Sequence, residues 1–142
     1  MKKTLYALIS IALLVGLAGG VCMAADTSLS PTVVVTPLKI KMDRSATVTF
    51  VGYGFPAGQG LKLVFTDANG QFDNIGGSLT PEPTPDKNGA WSTVWKCGDY
   101  IGRKMIKAGV LVVTITDSKY REITQTAMVF YEEKAKKESA GH

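Results

Sequence analysis

Thr47-Val-Thr-Phe-Val-Gly-Tyr-Gly-Phe-Pro-Ala-Gly-Gln-Gly-Leu-Lys-Leu-Val-Phe-Thr66 is the stretch that decides the fold. Over Ala46–Val51 the side chains alternate, with Val48 and Phe50 on one face and Thr47 and Thr49 on the other. That period of two is the pattern of a half-buried strand. After a Gly/Pro-rich reversal the pattern returns, with Leu61, Leu63 and Phe65 facing one way and Lys62, Val64 and Thr66 the other. Strands with one apolar face each need a second layer to cover them, which is the logic of stacked sheets.

The same punctuation extends in both directions. Upstream, Val33–Thr36 breaks at Pro37 and resumes through Leu38–Met42; proline removes a ladder donor, so this segment is predicted at an edge. Downstream, a looser stretch over Ile75–Thr80 suggests a short strand, and Pro81-Glu82-Pro83-Thr84-Pro85 is a stiff loop. Asp86-Lys87-Asn88-Gly89 reads as a tight turn, since Asn-Gly supplies positive φ angles. Ala90–Lys96 leaves it as a strand with Trp91, Thr93 and Trp95 on one face, and Gly109–Thr116 and Glu122–Tyr131 pair across Asp117-Ser118-Lys119-Tyr120. In Asp99–Ala108, Ile101, Met105 and Ala108 share a helical face, but Gly102 weakens a helix by about 1 kcal/mol, so a crossover of at most two turns is expected. The sum is an all-β chain, an immunoglobulin-like antiparallel sandwich of two sheets and about seven strands over residues 32–131, with a barrel as the second architecture.

The ends have a different character. Lys2 and Lys3, the apolar run Leu5–Leu17 and the small-residue site Cys22-Met23-Ala24 follow the order of a signal peptide, so residues 1–24 are predicted to be removed after Ala24, with Ala25 the next candidate. The apolar run is shorter than the ~20 residues that a spanning helix needs, and the mature form is expected to carry no membrane span. Cys22 also raises lipidation, which Val21 disfavours because a small residue is wanted before a lipid-bearing cysteine. Residues 25–31 form a polar lead-in, and residues 132–142 a charged tail expected to be disordered.

Composition narrows the function. The 142 residues carry 16 Lys and Arg against 12 Asp and Glu. Two of the lysines leave with the signal, and the nearly neutral remainder argues against a nucleic-acid partner. Of two cysteines only Cys97 survives cleavage, so no internal disulfide is expected despite export to an oxidising compartment. Cys97 is then either a buried small apolar residue, the favoured reading, or a candidate intermolecular thiol.

Thr47-Val-Thr-Phe-x-Gly-x-Gly-Phe-x-x-Gly58, followed by a strand and Asp67-Ala-Asn-Gly70, resembles the immunoglobulin-like modules (Big and IPT/TIG-like) of bacterial and archaeal secreted and surface proteins. Asn88-Gly89-Ala90-Trp91-Ser92 and Ala108-Gly109-Val110-Leu111-Val112-Val113-Thr114 are similar to two further strands of those modules. The resemblance covers most of residues 33–131. It implies that Phe55 plugs one end of the core, and Leu111, standing where such modules usually have tyrosine, puts a tyrosine-corner hydrogen bond in doubt. It says almost nothing about function.

Tested for chemistry, the chain offers little. Gly52-Tyr-Gly54-Phe-Pro-Ala57 matches a dinucleotide fingerprint formally, but that motif works only where a helix begins, and here an alternating strand follows. Asp67-Ala-Asn69-Gly-Gln71-Phe-Asp73 alternates oxygen side chains as a calcium loop does, yet Phe72 and Ser78 stand where an EF-hand needs glycine and glutamate. The single histidine, His142, ends the tail, where it can hold no catalytic geometry, and a zinc cage lacks ligands. Asp67, Asp73, Glu82, Asp86 and Asp99 leave a carboxylate pair formally open. No catalytic, cofactor or metal residue is selected, no cofactor is expected, and the chain is not expected to be an enzyme.

Trp91 and Trp95, with Tyr100 nearby, form the candidate binding platform, for a sugar ring or a protein partner. At least one of the tryptophans is also expected in the core. The expectation is therefore an exported protein, secreted, periplasmic or at the cell surface, with a structural, adhesive or assembly role through a protein partner or itself. A carbohydrate-binding module using Trp95 and Tyr100 is the first alternative, and a small hydrolase a remote one.

Overall fold

Alternating apolar side chains build the strands of a computed structural model that describes residues 30–135. In chain order these are β1 (Thr32–Thr36), β2 (Lys39–Lys41), β3 (Val48–Tyr53), β4 (Leu61–Thr66), β5 (Phe72–Asn74), a 3-10 turn (Gly76–Ser78), β6 (Leu79–Thr80), β7 (Trp91–Trp95), α1 (Gly98–Gly102), β8 (Gly109–Asp117) and β9 (Glu122–Tyr131). They form a β-sandwich of two sheets, ordered β1-β3-β7-β6 and β2-β9-β8-β4-β5. The predicted signal peptide, most of the lead-in, and residues 136–142 of the tail with His142 lie outside the described residues. Among the described residues no helix is long and apolar enough to cross a membrane.

The predicted first strand divides at its proline. Val33–Thr36 lies in β1, at the edge of the four-stranded sheet, whereas Lys39–Lys41 forms β2, at the edge of the other. Pro37 can extend neither ladder, so the chain changes sheet there. One pairing departs from the expected antiparallel pattern: β2 runs parallel to β9, because a strand that crosses between sheets without reversing meets its new neighbour in that sense. The short strand expected within Ile75–Thr80 is present but confined to the two residues of β6 (Leu79–Thr80). β5 precedes it, Ile75 is buried with its N–H on the Leu63 carbonyl, and Gly76-Gly77 carries the chain to the two-residue β6.

The core lies between the sheets. Phe50 and Trp95 enter from one side, and Leu63, Phe65, Leu111, Val113, Ile115, Met128 and Phe130 from the other, all buried. Phe55 closes one end, 5.5 Å from Trp91 in an edge-to-face contact. The proline loop packs inward at the same end: Pro83 and Pro85 are buried, and Gly58 donates its N–H to the Pro85 carbonyl.

Three reversals share one geometry. Asp67, Asp86 and Asp117 each accept on Oδ1 the N–H groups two and four residues ahead, at 2.8–3.0 Å. In each, the residue three ahead has positive φ: Gly70 at 78°, Gly89 at 77° and Tyr120 at 61°. This is aspartate turn chemistry, in which a short side chain satisfies amides that the reversal would leave open.

Asp117 adds Arg121, whose Nε donates to its Oδ2 at 2.6 Å. The Arg121 backbone N–H, then its side chain and the Lys119 N–H, hold the Asp117 carboxyl below its usual value of 3.8. A lowered folded-state pKa stabilises the fold above the unfolded value, and that contribution disappears as pH falls through the folded one. Asp117→Asn is therefore expected to be less stable than the parent at neutral pH, with the difference closing as pH drops below about 3.8. Urea melts across pH check this; a gap constant with pH would show that the charge is not what matters.

Candidate functional site

The candidate platform turns out to be the centre of the core. Trp95 is fully buried, with ring centroids of Phe65, Phe130, Phe50 and Tyr100 at 6.0, 6.4, 6.5 and 5.5 Å. Trp91 is 5% exposed and lies against Gly52, where a Cβ would fall 2.1 Å from the indole nitrogen. Tyr100, on α1, is half-buried, its ring edge-on to both Trp95 and Phe65. A stacking surface needs an open ring face, so Trp91 and Trp95 cannot supply one here. The reason is parity: both sit on the inner face of β7, and with Thr93 they point between the sheets.

Cys97 is also interior, which corrects its candidacy as an intermolecular link. It is fully buried just after β7, with Sγ 3.3 Å from the Ala46 carbonyl that it donates to. Burial pushes its thiol up to about 11, leaving it protonated near neutrality and unreactive. A thiol-specific reagent is expected to leave Cys97 of the folded protein unlabelled within minutes at neutral pH, and to label it fully in denaturant. Rapid native labelling would place the side chain outside the core.

The other motifs also resolve into local structure. The Gly52–Ala57 stretch leads through a turn into β4, and Phe55 N–H donates to the Gly89 carbonyl. The Asp67 loop uses its carboxylate on its own backbone, and no cluster of three metal-ligating side chains occurs among the described residues. Asp73, Glu82 and Asp99 border separate clefts, and Asp86 is held in its own turn. No protein family model matches the chain, and no curated protein matches it.

What remains open is the surface of the sheets. On the outer face of the four-stranded sheet, register aligns Val34 with Val51 and Ser92, Thr32 with Tyr53, and Thr36 with Thr49 and Val94. None of these side chains is charged. Val34 and Tyr53 are 49% and 52% exposed. At that sheet's border, β1 pairs on one side only, with β3. The other edges are short or charged: β5 and β6 have three and two residues, and β2 is Lys-Ile-Lys. Sequence reading located the edge through Pro37 but not the uncharged face, which becomes visible only when the register sets three strands side by side.

Proposed function

We propose that this is an exported, non-enzymatic immunoglobulin-like protein of the cell envelope or extracellular space, acting in assembly or adhesion by joining another protein, or another copy of itself, along β1. The observation that carries this reading is the β1 edge. Thr-Val-Val-Val-Thr is five residues of high β-propensity with no charge, proline or glycine. Natural sheets guard free edges with charges, prolines or bulges, or keep them short, because an unguarded row of N–H and C=O groups accepts a further strand. A strand added there receives main-chain hydrogen bonds, and the uncharged face beside it offers apolar contact without charge repulsion. Support for a non-catalytic role comes from the carboxylates, which serve turns or lie apart.

Val34→Lys places a charge in the middle of β1 on its outer, exposed face, where the fold tolerates it. Light scattering at rising concentration, and recovery of partners from the host's envelope fraction, are expected to show association by the parent chain that Val34→Lys loses with an unchanged melting curve. A parent chain that stays monomeric and partnerless, or a variant that associates equally well, would sink the reading.

A further inference from the structure

Tyr120 occupies a place where the chain's two other aspartate turns use glycine, and with Lys104 it is one of two non-glycine residues at positive φ among the described residues. In the three aspartate turns the positive-φ position is Gly70, Gly89 and Tyr120, and a bulky residue is rarely found in that conformation. The side chain nevertheless points outward and makes two contacts. Its hydroxyl accepts a 3.2 Å hydrogen bond from Asn74 Nδ2, the Lys62 ammonium lies 5.1 Å from its ring centroid, and the residue is 57% exposed. Asn74 is itself fixed, its Oδ1 accepting the Gly76 N–H at 2.8 Å. Backbone strain retained at an exposed aromatic is the kind of outlier that marks a functional position.

The two groups that hold Tyr120 also line a cleft of about 550 Å³, together with Glu82 and the buried Leu61 and Leu79. Lys62 and Glu82 share this cleft, yet the ion pairs among the described residues are Lys41–Glu133 and Arg121–Asp117. The cleft thus presents an ammonium and an amide as donors, a carboxylate as acceptor and an apolar base, beside the exposed Tyr120, whose ring has the Lys62 ammonium over one face and leaves the other for a ligand.

The geometry points to a binding site for a neutral oligosaccharide, with Tyr120 as the stacking ring and Lys62, Asn74 and Glu82 as hydrogen-bonding groups. A sugar ring has one apolar face and a rim of hydroxyls that both donate and accept, which matches an aromatic beside mixed donors and acceptors. The balanced charge of Lys62 and Glu82 favours a neutral chain over an acidic one. This site is on the five-stranded sheet and does not depend on β1.

Cellopentaose, chitopentaose and maltopentaose titrated to about 10 mM against the labelled protein, followed by NMR, test it. At least one is expected to shift the signals of Tyr120, Asn74 and Lys62. Tyr120→Gly should weaken that binding about tenfold or more without lowering the melting temperature, since glycine suits the turn. Val34→Lys should leave the titration unchanged, which separates this site from assembly through β1. If no pentasaccharide shifts these residues, or if Tyr120→Gly binds as the parent does, the inference is overturned and Tyr120 serves the turn alone.

Discussion

Trp95→Ala is expected to cost about 4 kcal/mol, the largest loss of any single truncation in this chain. The side chain is wholly buried and bridges the sheets, with aromatic rings from β3, β4, α1 and β9 around it. Alanine removes most of its volume, and four flanking rings anchored in separate elements cannot all collapse into the space. Domains of this size have only about 5–15 kcal/mol in total, so the variant should melt roughly 20 °C lower or fail to fold. Trp95→Phe separates cavity from chemistry. The indole N–H donates to no protein group among the described residues, so phenylalanine forfeits volume without breaking a hydrogen bond. It should cost less than half as much. Equal losses for the two variants in urea denaturation would mean that something other than packing governs the site.

Gly98→Ala is expected to cost about 2–3 kcal/mol, by overpacking. A Cβ at Gly98 would lie 1.9 Å from the Arg44 carbonyl oxygen and 3.1 Å from the Ala46 nitrogen. The obstacle is backbone, which cannot rotate away as a side chain does. The same corner carries the Gly98 N–H to the Ala46 carbonyl at 3.0 Å and the Cys97 thiol donating to that carbonyl. Moving the 44–46 segment would therefore disturb the start of α1 as well. Gly98 does not have a positive φ, so the penalty is steric rather than conformational. Gly77→Ala is the control, because a Cβ there meets nothing within 4 Å. A melting curve for Gly98→Ala that matches this control would show that the 44–46 loop yields freely.

The two substitutions differ in what made them foreseeable. Trp95 belongs to a run whose period of two already assigned it to the face shared with Trp91, and burial of one tryptophan on that face was expected. Burial of both follows from β7 being central, between β3 and β6, so that its inner face is covered along its length. Gly98 carries no local signal, since the atom it must avoid comes from a loop more than fifty positions earlier.

The β-sandwich was legible in the alternation of Val48, Phe50, Leu61, Leu63 and Phe65, and the reversals in Asn88-Gly89 and in the residues following Asp117, because strand faces and turn angles are set by neighbours in the chain. The register across strands is set by distant partners. Only the tertiary structure put both tryptophans in the interior, decided for the buried reading of Cys97, split the first strand between two sheets at Pro37, gathered Val34, Val51 and Val94 into an uncharged face, and brought Tyr120 to Asn74 and Lys62. Local sequence determines which side chains lie on the same side of a strand. Which side meets solvent, and beside what, is decided by sheet order and packing.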